Sequence, residues 1–150
     1  LIFFRLGQQN STSPDALSGQ VRDAGTSSGT MAVGDEVTFR IYAESVEDLY
    51  GYQFQFHYNT DALEYKSLSS TIDDIPTIFQ NPVDDYLLAG ATKVGKVEGF
   101  SGQDVAVCEI TMVAKEEGEI PPVVLEEVSV VDSQLEYYEG VSDWTYEVGV

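Results

Sequence analysis

Hydrophobic and polar residues alternate with a period of two along residues 33–65. This alternation is typical of β-strands that bury one face and expose the other to water. The pattern predicts two adjacent strands that are separated by a break at Leu49, Tyr50 and Gly51. The expected inward residues are Val37, Phe39 and Ile41 in the first strand and Tyr52, Phe54, Phe56 and Tyr58 in the second, and the outward residues of the second strand are Gln53, Gln55 and His57.

Further strand patterns follow along the rest of the chain. Segments that alternate or are rich in β-branched residues, and that are bounded by Gly, Pro, Asn or Asp, indicate strands. These segments are 17–22, 63–68, 85–94, 105–114, 123–133 and 144–148. Residues 73–81 contain a Pro and predict a loop with one short strand around Ile78 and Phe79, and residues 95–102 predict a glycine-punctuated connection.

The strand patterns together predict the fold class. No long segment has the 3.6-residue period of a helix. About nine strands at this spacing predict an all-β fold, a two-sheet β-sandwich with jelly-roll topology. The single cysteine, Cys108, lies in an alternating strand and is expected to be a buried thiol. The residues predicted to share the core are Phe39, Ile41, Phe54, Phe56, Ile110, Met112 and Val130.

The length and local composition predict the domain organisation. A chain of 150 residues suits one domain with a substantial hydrophobic core. Residues 7–30 are rich in Gly, Ser, Thr, Asn and Gln, which predicts a linker or a long loop. We therefore expect residues 1–16 to be an N-terminal extension or linker and residues 17–150 to form the sandwich. The opening LIFFRLGQQN is too short for a complete signal peptide, and two interpretations stay open: the end of an exported leader or anchor, and an extra strand.

The charge of the chain restricts its partners. It contains 26 Asp and Glu against 7 Lys and Arg, which gives a net charge of −19. Such a surface repels phosphate, so nucleic acid and anionic membranes are excluded as expected partners. The sequence also has no apolar run long enough to cross a bilayer. The charge favours high solubility, a cationic partner or function in high salt.

No set of residues predicts catalysis or metal binding. The single histidine, His57, has no cysteine or activated serine near it in the sequence, and no phosphate-binding glycine motif occurs. The acidic stretches IDDIP, VDDYL and EEGE lack the spacing that places several oxygens around one calcium ion. A glycosidase pair among so many carboxylates is not selected by any pattern. We expect a protein that is not an enzyme, with no catalytic residue, no metal site and no cofactor.

The stretch VGDEVTFRIYAESVEDLYGYQFQFHYNTDALEY, residues 33–65, resembles the signature of the cohesin family. Members of that family show a VGD turn, a strand, an NVxxLxGxQF link, an alternating strand and then YDPxxLEF. Later, VAVCEITMVAKEEGE resembles the long late strand and turn of the family, and LEEVSVVDS resembles its LSNVKLVDS ending. The similarity covers about residues 17–148. Asn59 and Thr60 stand where the family usually has Asp-Pro, residues 1–15 match nothing, and residues 69–80 are hard to align.

The resemblance implies a function and a surface. Cohesins are non-catalytic receptor modules of cellulosome scaffoldins and related extracellular or cell-surface proteins, and they bind a helical dockerin module that carries calcium. It implies no nucleic-acid or membrane contact by this domain, which would be one part of a larger secreted or anchored protein. The family's binding face, carried over to this sequence, would include Gln53, Gln55, Leu88, Ala89, Glu127, Ser129 and Val131.

Two other functions stay open at this point. A carbohydrate-binding module would use the same sandwich and would need two or three coplanar exposed aromatic rings, for which Tyr137, Tyr138, Trp144 and Tyr146 are the candidates. Alternation within WTYEV favours burial of Trp144 and Tyr146 instead. A passive structural or adhesive module is the third possibility, because the Gly- and Ser-rich lead-in would serve as a tether.

Overall fold

The structure, a computed structural model, describes residues 20–21, 29–72, 77–82 and 86–150, and it describes side chains within 29–72 and 86–150. The described residues form strands and connections without a helix, and therefore contain no helix that could cross a membrane. The predicted boundary between residues 16 and 17 lies outside the described residues. The strands are β1 (Gln20–Val21), β2 (Thr30–Met31), β3 (Glu36–His57), β4 (Leu63–Ser70), β5 (Thr77–Pro82), β6 (Tyr86–Thr92), β7 (Phe100–Ala114), β8 (Gly118–Glu119), β9 (Val124–Asp132), β10 (Tyr137–Tyr138) and β11 (Trp144–Gly149).

Strand β3 is the axis of the fold. The prediction of a break at residues 49–51 was wrong, because β3 runs without interruption through 22 residues. Pairing continues through the expected break, with Leu49 opposite Phe100 on β7 and Gly51 opposite Thr92 on β6. The sequence signal at this point reflects a bend, since the register shifts on both sides of Leu49 and Asp48 has a positive φ of 58°.

The two halves of β3 belong to two different layers. Its first half lies between β7 and β11, with β4 beyond β7 and β1 beyond β11; we call this the first layer. Its second half lies between β6 and β9, with β5 beyond β6 and β10 beyond β9; we call this the second layer. Strands β2 and β8 form a separate pair. This arrangement confirms the predicted all-β sandwich with jelly-roll topology.

Aromatic side chains join the layers in the core. The ring of Phe39, from the first half of β3, meets the ring of Phe56, from its second half, at a centroid distance of 5.3 Å. Trp144 of β11 similarly meets Tyr52 at 5.5 Å and Phe54 at 6.1 Å. These edge-to-face contacts fill the space between the layers. The predicted core residues are all at most 1% exposed, which confirms the prediction for Phe39, Ile41, Phe54, Phe56, Ile110, Met112 and Val130.

Other sequence-based predictions differ from the structure in detail. The connection expected over residues 95–102 ends earlier, because β7 already begins at Phe100 and pairs there with Leu49. The short strand expected around Ile78 and Phe79 is present and extends over Thr77–Pro82 as an edge strand beside β6. Cys108 is fully buried, as predicted, and burial raises the pKa of its thiol to about 12.

Two turns explain how the first family-like motif folds. Asp35 donates its backbone N–H to the carbonyl of Ala32 at 2.9 Å, and its carboxylate accepts the N–H of Ala32 at 2.9 Å. Gly34 lies between them with a φ of 93°, a conformation that glycine adopts without strain. At the other end, the side-chain oxygen of Asn59 accepts the backbone N–H of Asp61 at 2.9 Å. Asn59 thus closes this turn without the proline that the family pattern has.

One carboxylate in the first layer lacks compensation. Asp143 precedes β11 and is 5% exposed, and neither of its carboxyl oxygens has a hydrogen-bond partner among the described side chains. The hydroxyl of Ser142 and the indole N–H of Trp144 are also buried, without a partner in the same set of residues. Burial raises the pKa of Asp143 to about 7, and the nearby carboxylate of Glu44 contributes to the rise.

Candidate functional site: the outer face of the second layer

The outward side of the second layer is built from four cross-strand rows. In each row a residue of β3 lies between a residue of β6 and a residue of β9. We call this surface the amide face, because Gln53 and Gln55 occupy its two middle rows. From the bend of β3 to its end, the rows are Thr92–Gly51–Val131, Gly90–Gln53–Ser129, Leu88–Gln55–Glu126 and Tyr86–His57–Val124.

The side chains at one end of the amide face form a connected group. The Nε2 atom of His57 lies 2.9 Å from the amide oxygen of Gln55 and 3.4 Å from a carboxylate oxygen of Glu126. The ring of Tyr86 stacks on the imidazole at a centroid distance of 4.9 Å. These contacts fix the His57 ring between three strands and orient the amide of Gln55.

Gln53 lies in a different environment. It is exposed, and its neighbours in the row are Gly90, which has no side chain, and Ser129. No hydrogen bond links the Gln53 amide to another group in the described part of the chain. This amide can therefore both donate and accept towards a partner without first breaking an internal bond.

Tyr137 of β10 covers part of the face. Its hydroxyl donates a hydrogen bond to the hydroxyl oxygen of Ser129 at 3.0 Å, while its side chain is 60% exposed. Ser129 is consequently only 4% exposed. Between Tyr137 and the bend of β3 lies a hollow of about 270 Å³. Its outward-facing lining consists of Gly51, Gln53, Thr92, Ser129, Val131 and Tyr137.

The structure brings most of the predicted surface residues together. Gln53, Gln55, Leu88 and Val131 occupy the rows of the amide face, and Glu127 is exposed beside them. Glu127 is the extra residue of a bulge on β9 and has a φ of 54°.

Two predicted surface residues require correction. Ala89 is 0% exposed and pairs with the core residue Phe54, so it faces the core and not the amide face. Adjacent strand residues point to opposite sides, so Leu88 and Ala89 cannot both be outward. Ser129 is on the predicted side, but Tyr137 covers it.

Sequence reasoning did not assign several residues of this surface, among them Gly51, Thr92, Glu126 and Tyr137. Counting back by two from Gln53 places Gly51 on the outward side, so the alternation contained this signal. The position of Thr92 depends on the register between β3 and β6. The position of Glu126 depends on the register between β3 and β9, which the bulge at Glu127 shifts. Tyr137 reaches the face only because β10 folds back along β9.

The strands of the amide face carry negative charge without Lys or Arg to balance it. The sequences of β5, β6, β9, β10 and the second half of β3 contain no Lys or Arg. They contain the carboxylates of Glu126 and Glu127, both exposed. In contrast, the first layer carries Arg40 on β3 and Lys66 on β4. A partner of the amide face therefore gains from positive charge.

The described residues offer no metal centre, since no group of three or more His, Cys, Asp or Glu side chains converges among them. Among the side chains that the structure describes, the four candidate rings do not form the aromatic platform of a carbohydrate-binding module. Trp144 and Tyr146 are 1% and 5% exposed and lie in the core, as the alternation of WTYEV predicted. Of the four candidate rings, Tyr137 alone is exposed and Tyr138 is half-buried.

The sequence model of the cohesin domain matches residues 23–137, which is most of the chain. The chain belongs to the cohesin family. No curated protein sequence matches this cohesin. Solved structures that share its fold do so at low sequence identity.

One of these structures is the cohesin module of a family 33 glycoside hydrolase from Clostridium perfringens. It is 14% identical, covers 81% of this chain and 93% of its own, and has a TM-score of 0.63. A second is a type I cohesin–dockerin complex from Clostridium thermocellum, with 14% identity, 86% and 97% coverage and a TM-score of 0.59. A third is the sixth cohesin of scaffoldin B from Acetivibrio cellulolyticus, in complex with a mutant Cel5 dockerin; it has 14% identity, 81% and 87% coverage and a TM-score of 0.58.

Proposed function

We propose that this cohesin is a protein-interaction module that binds a dockerin-type partner through its amide face, for the assembly of extracellular multi-protein complexes. Family membership supports the class of partner, since two of the structures with this fold are complexes with dockerins. The observation that carries the choice of face is the exposed amide of Gln53 at its centre, which makes no hydrogen bond to any residue that the structure describes. The proposed contact residues are Gln53, Gln55, Leu88, Glu127 and Val131, with Glu126 added.

The chemistry of the face suits a protein partner. Amide groups hydrogen-bond in both directions and are cheaper to bury than charges, because no ion must leave water. Leu88 and Val131 add half-buried apolar surface on either side of the glutamines. A polar centre with a few apolar contacts is the usual composition of a reversible protein interface. Ser129 contributes indirectly, by holding Tyr137 in place.

The test is a titration of the purified protein with a panel of calcium-loaded dockerin modules and, separately, with polysaccharides. Replacing Gln53→Ala and Gln55→Ala together should weaken dockerin binding by roughly 1 to 3 kcal/mol, because hydrogen-bonding groups of the partner lose their counterparts. A dockerin from which a chelator has removed the calcium should not bind.

A matched control uses the same strand in the other layer. Thr38 and Arg40 are outward residues of β3 with the same spacing as the two glutamines. Replacing both by Ala should leave dockerin affinity unchanged. Absence of binding to every dockerin, together with tight binding to a glycan, would transfer the assignment to a carbohydrate-binding module.

We further propose that the module has no catalytic activity of its own. The sole histidine, His57, is held by Gln55, Glu126 and Tyr86, and the thiol of Cys108 is buried with a pKa raised to about 12. In the part of the chain that the structure describes, His57 has a carboxylate beside it but its contacts include no Ser, Thr or Cys nucleophile, and the Cys108 thiol is closed off from substrate. Screening on polysaccharides, esters and peptides should return background rates, and an activity abolished by neutralising one acidic pair would contradict this.

The same proposal extends to location. A module that captures a partner through one face serves assembly only as part of a longer protein outside the cell or on its surface. The acidic, soluble surface is consistent with that setting. Detection of the full-length protein in washed cell-surface and culture-supernatant fractions tests it, and recovery from the cell interior alone would contradict it.

A further inference from the structure

Gly51 lines the hollow at the bend of β3, between side chains of β6 and β9. A Cβ atom at this position would lie 2.9 Å from Oγ1 of Thr92 and 3.1 Å from Cγ1 of Val131. Side chains from β6 and β9 therefore approach the backbone of Gly51 closely, and residue 51 contributes no side chain between them. The hollow that these residues line has a volume of about 270 Å³.

An exposed aromatic side chain borders this hollow. Tyr137 forms one wall, is 60% exposed, and is held in place by its hydrogen bond to Ser129. Large apolar side chains that remain this exposed near a depression are characteristic of anchor sites in protein interfaces.

The hollow is continuous with the amide face and shares its charge. Gln53 belongs both to the central rows and to the lining of the hollow. The carboxylates of Glu126 and Glu127 lie farther along the same face, and the strands that form it contain no Lys or Arg. A partner that covers Gln53 thus meets an apolar depression on one side and negative charge on the other.

We propose that the hollow receives one apolar side chain of the dockerin, and that this side chain is flanked on the dockerin surface by Lys or Arg that face Glu126 and Glu127. This inference rests on the proposed function and names the feature that selects among dockerins. Tyr137 and Val131 are the specificity-determining residues, because they set the width of the hollow. Gln53 and Gln55 serve every dockerin that reaches the face.

The experiment fills or opens the hollow and measures dockerin affinity. Val131→Phe places a ring in the depression, and its matched control is Val113→Phe, at a half-buried outward position of β7 in the first layer. We expect Val131→Phe to weaken binding by about 30-fold, as loss of an anchor does, and Val113→Phe to change it by less than about 2-fold. Tyr137→Ala, at an exposed position, should weaken binding by about 10-fold while the melting temperature stays unchanged.

A scan of the dockerin identifies the occupant. Each exposed apolar residue of the dockerin is changed to Ala and tested against the wild-type and Val131→Phe proteins. One of these dockerin replacements should weaken binding to the wild-type protein by about 10-fold. The same replacement should not weaken binding to Val131→Phe any further, because the effects of mutating two residues in contact do not add. Replacing both Glu126 and Glu127 with Gln should reduce the salt dependence of the association rate.

The outcomes separate this inference from the proposed function. Failure of the wild-type protein to bind any dockerin overturns both. Tight dockerin binding that depends on Gln53 and Gln55 but is equal for Val131→Phe and Val113→Phe leaves the function standing and overturns the anchor site. If Val131→Phe lowers the melting temperature, Tyr137→Ala decides: unchanged affinity in that variant also overturns the proposal.

Discussion

The two outer faces of the sandwich use the same central strand in opposite ways. In the first layer, outward side chains of β3 bond to their cross-strand neighbours. Arg40 is paired with Glu109 through a hydrogen bond of 2.7 Å from Nε, and the hydroxyl of Tyr42 donates to Glu147 at 2.6 Å. In the second layer the next outward polar residue after the bend, Gln53, makes no such bond to the side chains described on β6 and β9. The first face is satisfied internally, and the second leaves its central donor and acceptor available.

Under the proposed function, this difference lets one amphipathic strand serve both stability and recognition. A polar group that is already bonded must break that bond before it binds a partner, so it gives little net affinity. Two positions of the amide face are glycine. Gly51 and Gly90 interrupt the rows of side chains that could otherwise hydrogen-bond to one another across the strands. The following changes test whether the contrast between the faces is real, from the largest expected effect to the smallest.

The strongest test concerns Asp143, which is the exception in the self-satisfied layer. Its pKa is raised from 3.8 to about 7 in the folded protein, so the folded state holds its proton more tightly than the unfolded state. The contribution of Asp143 to the free energy of unfolding should be most favourable below about pH 4. It should decrease as the pH rises from about 4 to about 7. The loss amounts to up to about 4 kcal/mol.

Asp143→Asn should remove this pH dependence and make the protein more stable at pH 8. Urea unfolding of both proteins at several pH values between 4 and 8 measures it. Glu44→Gln is the control, because Glu44 is exposed and only adds to the shift, and it should recover a small part of the effect. If the free energy of unfolding changes with pH in the same way for the wild type and Asp143→Asn, the Asp143 carboxylate is stabilised by its surroundings and this prediction is wrong.

Gly51→Ala tests the close approach of strands that opens the amide face. The added Cβ would meet Thr92 and Val131 at 2.9 to 3.1 Å, so we expect a loss of about 1 to 3 kcal/mol in unfolding free energy. Gly149→Ala is the matched control in the first layer, because nothing lies within 4 Å of that Cβ. Equal thermal stability of the two variants would mean that Thr92 and Val131 move aside for the added Cβ without a loss of unfolding free energy.

Salt tests whether paired or unpaired charges dominate the surface. The net charge of −19 should repel itself in the folded state, and about 0.1 M salt shortens that repulsion to roughly 10 Å. The melting temperature should therefore rise by several degrees between low salt and about 1 M NaCl. A flat or falling curve would indicate that ion pairs such as Arg40–Glu109 outweigh the unpaired carboxylates.

The smallest effect should come from the ion pair itself. Arg40 and Glu109 are partly exposed, so Arg40→Ala should cost no more than about 1 kcal/mol of stability. Dockerin affinity should not change, because the pair lies on the opposite face. A loss of affinity comparable to that of the glutamine variants would contradict the assignment of recognition to the second layer.

The fold was predictable because its determinants repeat along the chain. Period-two alternation identified the core side of β3, β7 and β11, and family motifs at residues 33–65 supplied the topology. The amide face was predictable only in part, since alternation assigned Gln53 and Gln55 but not their neighbours. Strand register is set by pairing between distant segments, and the bulge at Glu127 shifts it by one residue. Ala89 was assigned to the amide face together with its neighbour Leu88. Adjacent residues of a strand point to opposite sides, so only Leu88 lies on that face.

The position of β3 has a consequence for how the protein is made. This strand emerges early from the ribosome, yet its neighbours β9 and β11 are the last long strands to be synthesised. Until β9 and then β11 have been synthesised, the backbone donors and acceptors along one side of β3 lack their partners from these strands, and such an edge recruits other chains. Nascent or C-terminally truncated forms of this protein should therefore depend on chaperones and aggregate, while the completed domain remains soluble.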